Sequence, residues 1–449
     1  MASNSSEENL NLSPESLKKI TAARNKFKLG SDVDKDAVFD YQFLINKETV
    51  SYIQEHAKVM FLIRGPPGTG KATLSEMINV KYPKAAFCCA DDYFKNSFAS
   101  PTRSKNSLKL SHDYCQKKAE TACANDTRIV IVQNTHMRKW EIQYYINLAA
   151  CYNYTVIMAI TLYRFDVTPQ TLLANNTDGL DYSYLRKRLN QWEDIPPTLT
   201  GWFLCPKDAS YLQYLALNSL KALIGDGMFC RVFDMYDTDE VANYFKARRL
   251  QFCLAGYATD SLEMKKHYLS NIVQYLYGKC FTIQIVGYHI TLSGVSAVVQ
   301  VNDIMELLMY EGKNNFSRSC DFSNFMNALG INDNPSEHGK TMAFKDESEP
   351  PETSTAVLEE WKEDEGISAC KCSFIHLAQK SDDICDVGIL KKVIQTSLLE
   401  AADDKSQIPD ASFIELDNGS KVCRIKQNEW LVKAPMKVNV KTIFTGLYV

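Results

Sequence analysis

The stretch FLIRGPPGTGKATLSEM, residues 61–77, constrains this chain more than any other. A short apolar run, KVMFLIRG, leads into three glycines, Gly65, Gly68 and Gly70, and then into a helix-forming segment, KATLSEMINVKY. Glycines at those positions let the backbone turn tightly enough for successive N–H groups to point at one place, and the dipole of the following helix adds positive potential there. The spacing G-x-x-x-x-G-K, between strand and helix, is that of a phosphate-cradling loop, with Thr69 inside it and Lys71 reaching the β and γ phosphates. ATP or GTP is the ligand such a loop implies. The position after the lysine ordinarily supplies a Ser or Thr hydroxyl to magnesium, and here it is Ala72, whose methyl group cannot ligate a cation. Thr73 follows directly, but on a helix the next residue points about 100° away. Phosphate binding through the backbone is expected to persist while the contribution of Mg²⁺ weakens.

The sequence around this loop alternates short apolar runs with helical stretches: KVMFLIRG, AAFCCA, RIVIVQN and TVIMAIT, separated by segments such as SHDYCQKKAETACAND and WEIQYYINLAACYN. Continuous apolar strands with intervening helices predict a parallel sheet covered on both faces, an α/β domain. After about residue 240 the pattern becomes α+β, with strands in RRLQFCLAGY, KCFTIQIVGYHITLSG, VSAVVQV, CSFIHLAQ and VNVKTIFTGLYV and long helices near 262–278 and 386–401. The expected organisation is a disordered tail over 1–36, an α/β domain over 37–235 and an α+β domain over 236–449. Within the last, residues of about 312–366, ending in KDESEPPETSTAVLEEWKEDEGIS, have the acids and prolines of a linker or long surface loop.

Composition narrows the setting. The chain has 449 residues, a net charge of −4 and fourteen cysteines with no disulfide framework and no paired zinc spacing, so they read as reduced cytoplasmic thiols. No run of about 20 apolar residues occurs, the N-terminus lacks an apolar signal segment, and the closing GLYV carries no prenylation cysteine; no membrane anchor is expected. Basic clusters in KYPK, TRSKNSLK, MRKW and LRKRL leave room for contact with RNA ends, and protein partners are a further option.

CADDYF, residues 89–94, closes the second strand, where open α/β sheets place ligands. Asp91 there suits a kinase-type base that orients or deprotonates a hydroxyl, and Asp92 suits a metal, while helix N-capping is the alternative for both.

With GPPGTGK and ADDYF, the later segments VQNTHMRKWE (132–141) and NNTDGLDYSYLRKRLNQWE (175–193) resemble the successive motifs of polynucleotide-kinase-type P-loop proteins. TGWFL (200–204) and VKTIFTGLYV extend the resemblance, over about residues 40–449, to the 2′,3′-cyclic-nucleotide 3′-phosphodiesterase family. That resemblance implies a P-loop polynucleotide-kinase-like domain followed by a 2H phosphoesterase domain. It also exposes departures: Asn134 stands where such kinases carry an aspartate, and Asn175 where they carry a lid arginine, with Arg186, Lys187 and Arg188 following on one helix as partial substitutes.

A 2H phosphoesterase needs two His-x-Thr/Ser motifs facing one groove, one histidine as base and the other as acid. The triplet HIT, residues 289–291, falls after the position of the first motif in the family. The family register instead places Gln251 at the first histidine and Cys253 at its hydroxyl residue, and glutamine cannot titrate. The second motif falls at FIHLAQ, with His376 retained and Ala378 in place of the hydroxyl, or at CKCSF, with Cys370 or Cys372 in place of the histidine. On these readings the chain is a nucleotide-binding protein with a degenerate phosphodiesterase site. The alternatives are an active cyclic phosphodiesterase with an altered site using His376, with or without His289, and a polynucleotide 5′-kinase.

Overall fold

The computed structural model describes residues 13–26, 38–96, 103–248, 250–258, 261–292, 294–310, 372–379, 413–415, 419–426 and 428–448. The acidic segment 312–366, the helix expected near 386–401 and Cys370 lie outside the described residues. The chain divides into two compact units: residues 1–209 with 256–282 and 441–449, and residues 210–255 with 283–440.

The first unit holds a four-stranded sheet of β1 (Val59–Arg64), β2 (Ala86–Cys89), β3 (Ile129–Gln133) and β4 (Thr155–Ile160) in the order β2-β3-β1-β4, with every pair parallel. Parallel strands need crossovers, and the intervening helices supply them. Val59 to Ile63 are all fully buried, as expected of a strand covered on both faces, and each such side chain contributes about 1.5–3 kcal/mol. The chain leaves β1 toward β2 and returns over β1 to reach β4, so the carboxyl ends of β1 and β3 form the crevice in which such sheets bind ligands.

The helices of this unit begin with α1 (Pro14–Lys26) and α2 (Lys47–Glu55), followed by α3 (Lys71–Lys81), α4 (Asp92–Asn96), α5 (Lys105–Ala124) and α6 (Lys139–Cys151). Then come α7 (Pro169–Ala174), α8 (Tyr182–Asn190), and α9 (Pro206–Ala222), which runs on into the second unit. Helix α1 lies inside the stretch read as a tail. Leu17, Ile20 and Arg24 recur at helical spacing on its less exposed side, Ile20 is buried, and the helix packs against α3. The single helix expected over 262–278 is two, α10 (Ser261–Tyr268) and α11 (Asn271–Leu276). Ser270 makes the break, because its hydroxyl donates to His267 O at 2.7 Å and competes with helical pairing. Strand β5 (Leu199–Leu204) completes the unit, paired antiparallel with Thr442–Leu447.

The second unit is antiparallel. Its strands are β6 (Lys246–Ala247), β7 (Phe252–Tyr257), β8 (Cys280–Thr291), β9 (Gly294–Gln300), β10 (Cys372–Gln379), β11 (Phe413–Glu415), β12 (Lys421–Lys426) and β13 (Glu429–Leu447), of which β7, β8 and β13 continue into the first unit. They run β7-β10-β9-β8 and β11-β12-β13, with β13 also pairing β8 and β6 pairing β10. Gly287 sits where β8 meets β13; a Cβ there would lie 2.3 Å from Val432 O. The fold class is therefore an α/β P-loop domain with a parallel sheet followed by an antiparallel region compatible with a 2H phosphoesterase-like domain.

Candidate functional site

The loop after β1 is built as a phosphate cradle. Gly68 and Gly70 adopt φ of +82° and +84°, which side chains resist, and a Cβ on Gly68 would lie 2.5 Å from Leu172 O. Gly65 donates its N–H to Thr135 O at 3.1 Å, and a Cβ on it would meet Thr161 Oγ1 at 2.1 Å. Buried Thr69 is 2.6 Å from Thr161 Oγ1 and donates to Pro66 O at 2.8 Å. Lys71 donates its ammonium to Pro66 O at 2.9 Å, folded back on its own loop. Burial pushes the Lys71 pKa down to about 8; Asp91, Cys89 and Asp178 oppose this and Arg188 adds to it.

Around the place magnesium would occupy, the donors are thin. Ala72 is exposed and Thr73 half-buried, and the Ser75 hydroxyl is within hydrogen-bond reach of Ala72 O and Gln133 Oε1. Asp91 pairs with Arg103 at 3.1 Å, and Asp92, in the first turn of α4, pairs with Lys118 at 3.3 Å. Both carboxylates thus have cationic side chains beside them.

The two amides at the departures have structural duties. Asn134 Oδ1 accepts from Ala90 N at 3.1 Å and its Nδ2 donates to Cys115 Sγ at 3.5 Å, tying β2 to β3. An aspartate there would lose the second bond. Asn175 follows α7 and donates to Thr171 O at 3.0 Å. On α8, Arg186 and Lys187 are exposed, whereas Arg188 turns inward: its Nη2 donates to Thr135 Oγ1 at 3.4 Å, and its Nε is buried with no hydrogen-bond partner among the described residues. Of the three basic residues on α8, it is Arg188 that reaches the loop ends.

Sequence reasoning did not single out Arg64. The last residue of β1 is fully buried, donates to His136 O, Met137 O and Glu193 O at 3.0, 3.3 and 2.9 Å, and lies 4.0 Å from the Trp192 ring. It fastens the loop after β3 and the end of the α8 segment to the P-loop strand. His136 beside it has a φ of +45° and is held neutral, its pKa driven to about 3 by burial and then by Arg64 and His112.

In the second unit β7 and β10, which carry or flank the two expected motifs, pair antiparallel. Cys253 stands opposite Ile375, its thiol donates to Ser373 Oγ at 3.3 Å, and burial pushes its pKa up to about 12. Gln251, just before β7, is buried and its Nε2 donates to Arg248 O at 3.4 Å, while His376, next to Ile375 on β10, alternates to the side away from Cys253. Ala378 pairs with Val295 beyond a bulge, and Cys372 pairs with Gln300.

A different trio converges. Ser296 on β9 is in register with His289 on β8 and with His376 on β10, and directly opposed residues point to the same face. Ser296 Oγ is 2.8 Å from His376 Nδ1, and the His289 ring is 5.9 Å from that of Phe374, which is on the His376 side of β10. Burial, then the charges of Arg248 and His289, hold the His376 pKa at about 4. The hairpin turn between HIT and VSAV was the signal for half of this row; no local signal links it to His376.

Among the described residues no helix is long and apolar enough to cross a membrane. The sequence profile of the AAA domain family matches residues 60–177, which span the loop, Asp91, Asn134 and Asn175. The 2′,3′-cyclic-nucleotide 3′-phosphodiesterase of Mus musculus is 25% identical over 91% of this chain and 87% of its own length, and that of Rattus norvegicus 25% identical over 62% and 68%. NEDD4-binding protein 2 of Homo sapiens is 25% identical over 36% of this chain and 9% of its own. A fungal RNA kinase crystal structure aligns with 87% of this chain and 99% of that one at 10% identity and a TM-score of 0.24, too loose to bear on the fold. From the P-loop into the antiparallel strands the chain is similar to the 2′,3′-cyclic-nucleotide 3′-phosphodiesterases, and its P-loop region matches the AAA domain.

Proposed function

We propose that the chain is a nucleotide-binding member of this phosphodiesterase-like group, in which the P-loop retains phosphate recognition and metal-assisted phosphoryl transfer is weakened. The observation that carries this reading is the Lys71 ammonium on the Pro66 carbonyl, inside a loop already holding its two left-handed glycines. Phosphate oxygens of ATP or GTP replace that carbonyl, and Arg188 approaches from Thr135 in the role the lid arginine has elsewhere. Mg²⁺ adds less than usual because Ala72 offers no oxygen. The exposed Arg186 and Lys187, with Tyr182 and Tyr184 on the same helix, suit an RNA end beside the nucleotide. Nine cysteines among the described residues are free thiols, in keeping with a cytoplasmic setting. Calorimetric titration of the full chain with ATP and GTP, with and without Mg²⁺, tests the reading; the absence of heat in every titration removes it.

A second reading, hydrolysis of 2′,3′-cyclic phosphates to 2′-phosphates, is favoured by the His289–Ser296–His376 row. Two imidazoles flanking one hydroxyl can take and give protons on opposite sides of a phosphorus atom. Incubation with a 2′,3′-cyclic nucleotide and quantification of the 2′-phosphate tests it. A polynucleotide 5′-kinase is the weakest option, since Ala72, Asn134 and Asn175 all depart from the transfer machinery.

A further inference from the structure

Away from the P-loop and the histidine row, one carboxylate oxygen of the first unit gathers three side chains. Asp208, in the first turn of α9, presents Oδ2 to His56 Nε2 at 3.0 Å, to Cys205 Sγ at 2.9 Å and to the Tyr52 hydroxyl at 2.7 Å. His56 follows the last residue of α2 and Tyr52 precedes it by one turn, so both come from one helix end. Cys205 and Asp208 come from the junction of β5 and α9. The ligand atoms of His56, Cys205 and Asp208 all lie within 4.8 Å of one another. Cys205 is buried, and the side chains of His56 and Asp208 are 26% and 17% exposed, leaving an approach from solvent.

A thiol is a weak hydrogen-bond donor, so a buried cysteine aimed at a carboxylate that two better donors already satisfy gains little from hydrogen bonding. As metal ligands the same three groups are well matched. Thiolate sulfur, imidazole nitrogen and carboxylate oxygen form a borderline-soft set that favours zinc-type ions over magnesium or calcium. Bond lengths of about 2.0–2.3 Å around a tetrahedral zinc place neighbouring donor atoms about 3.4–3.6 Å apart. The present separations of 3.0 and 2.9 Å need to open by about half an ångström, and His56 Nε2 and Cys205 Sγ lie within 4.8 Å of each other.

We propose that His56 Nε2, Cys205 Sγ and Asp208 bind one divalent transition-metal ion of the zinc type, with the fourth position open to water and the Tyr52 hydroxyl orienting Asp208 from outside. On binding, the Cys205 thiol proton leaves to solvent and the neutral imidazole keeps its proton on Nδ1, so the thiolate and carboxylate cancel the two charges of the ion. The site clamps the end of α2 to the start of α9, independently of nucleotide.

The test uses the full chain, stripped with a chelator and then titrated with Co²⁺ and Zn²⁺. One ion per chain and a thiolate-to-cobalt charge-transfer absorption are expected, neither displaced by excess Mg²⁺. Cys205→Ser abolishes that absorption. His56→Gln lowers Zn²⁺ affinity at least about 100-fold, and Tyr52→Phe lowers it about tenfold, as loss of an outer partner does. Far-UV circular dichroism checks that each variant is folded, and if Cys205→Ser fails that check, His56→Gln decides by its affinity alone. Wild-type protein without the absorption, or an absorption and affinity unchanged in Cys205→Ser and His56→Gln, overturns the proposal.

Discussion

His289 and His376 stand in register with the same residue, Ser296, one on each side of it across three adjacent strands. Adjacent strands are about 4.8 Å apart, so the two backbones are separated by about 10 Å, room for a phosphate between two imidazoles. Cys253, opposite Ile375, belongs to the other, buried side, and Gln251 precedes β7. On the phosphodiesterase reading, hydrolysis of a 2′,3′-cyclic nucleotide is expected to fall about 10²–10⁴-fold in His289→Ala and in His376→Ala. In Gln251→Ala, product formation per folded molecule should stay within about twofold. Equal losses in all three variants would return the chemistry to the family register.

On the nucleotide-binding reading, Lys71 should set the pH range of binding. Its pKa is lowered from 10.5 to about 8 in the free protein, so the ammonium is present below pH 8 and is lost above it. A phosphate neighbour favours the charged form, and binding above pH 8 must recover the proton. Affinity for ATP should be flat from pH 6.5 to 7.5 and weaken above 8 by up to about tenfold per pH unit. Lys71→Ala should bind more weakly and lose that slope; a slope retained in the variant would assign it to another group.

Magnesium should matter more once a hydroxyl is restored. Ala72→Thr is expected to increase the ratio of ATP affinities measured with and without Mg²⁺ at least about fivefold, since Ala72 is exposed and the added atoms meet solvent. An unchanged ratio would show that the metal position is lost for other reasons.

Arg64 should be a stability residue with functional reach. Removing it by Arg64→Leu leaves the carbonyls of His136, Met137 and Glu193 without their charged donor and uncovers the Trp192 ring. Denaturant unfolding should show a loss of about 3 kcal/mol or more. A shift under about 1 kcal/mol would contradict the fastening role.

Acid should destabilise the first unit through two buried histidines. His136 and His267 have pKa values lowered from 6.5 to about 3 and about 4, chiefly by burial, and His267 keeps Thr200 Oγ1 at 2.9 Å. Below pH 6.5 the unfolded chain takes up protons that the native one refuses. Stability is complete above that pH and declines on acidification by at most about 1.4 kcal/mol per unit for each group. His267→Gln should flatten the decline as measured by the unfolding midpoint at several pH values, and an unaltered slope would exclude His267 as a source.

The strand–loop–helix order of the P-loop domain, its parallel sheet and the spacing of Gly65, Gly68, Gly70 and Lys71 were legible in the chain, because each is set within about twenty residues by apolar runs, glycine geometry and helix signals. The break at Ser270 and helix α1 escaped that reading, since one hydroxyl decides the first and packing against α3 the second. Which polar side chains share a face was not in the sequence at all. Ser296 and His376 are 80 residues apart, and a shift of one residue in strand register would turn either away from the other. The same holds for His56 and Asp208, 152 residues apart, and for Arg64, whose partners come from two later loops. Local chemistry fixed the glycine geometry of the loop after β1; only the pairing of distant strands and helix ends determined where the histidines, the buried arginine and the His56–Cys205–Asp208 cluster came together.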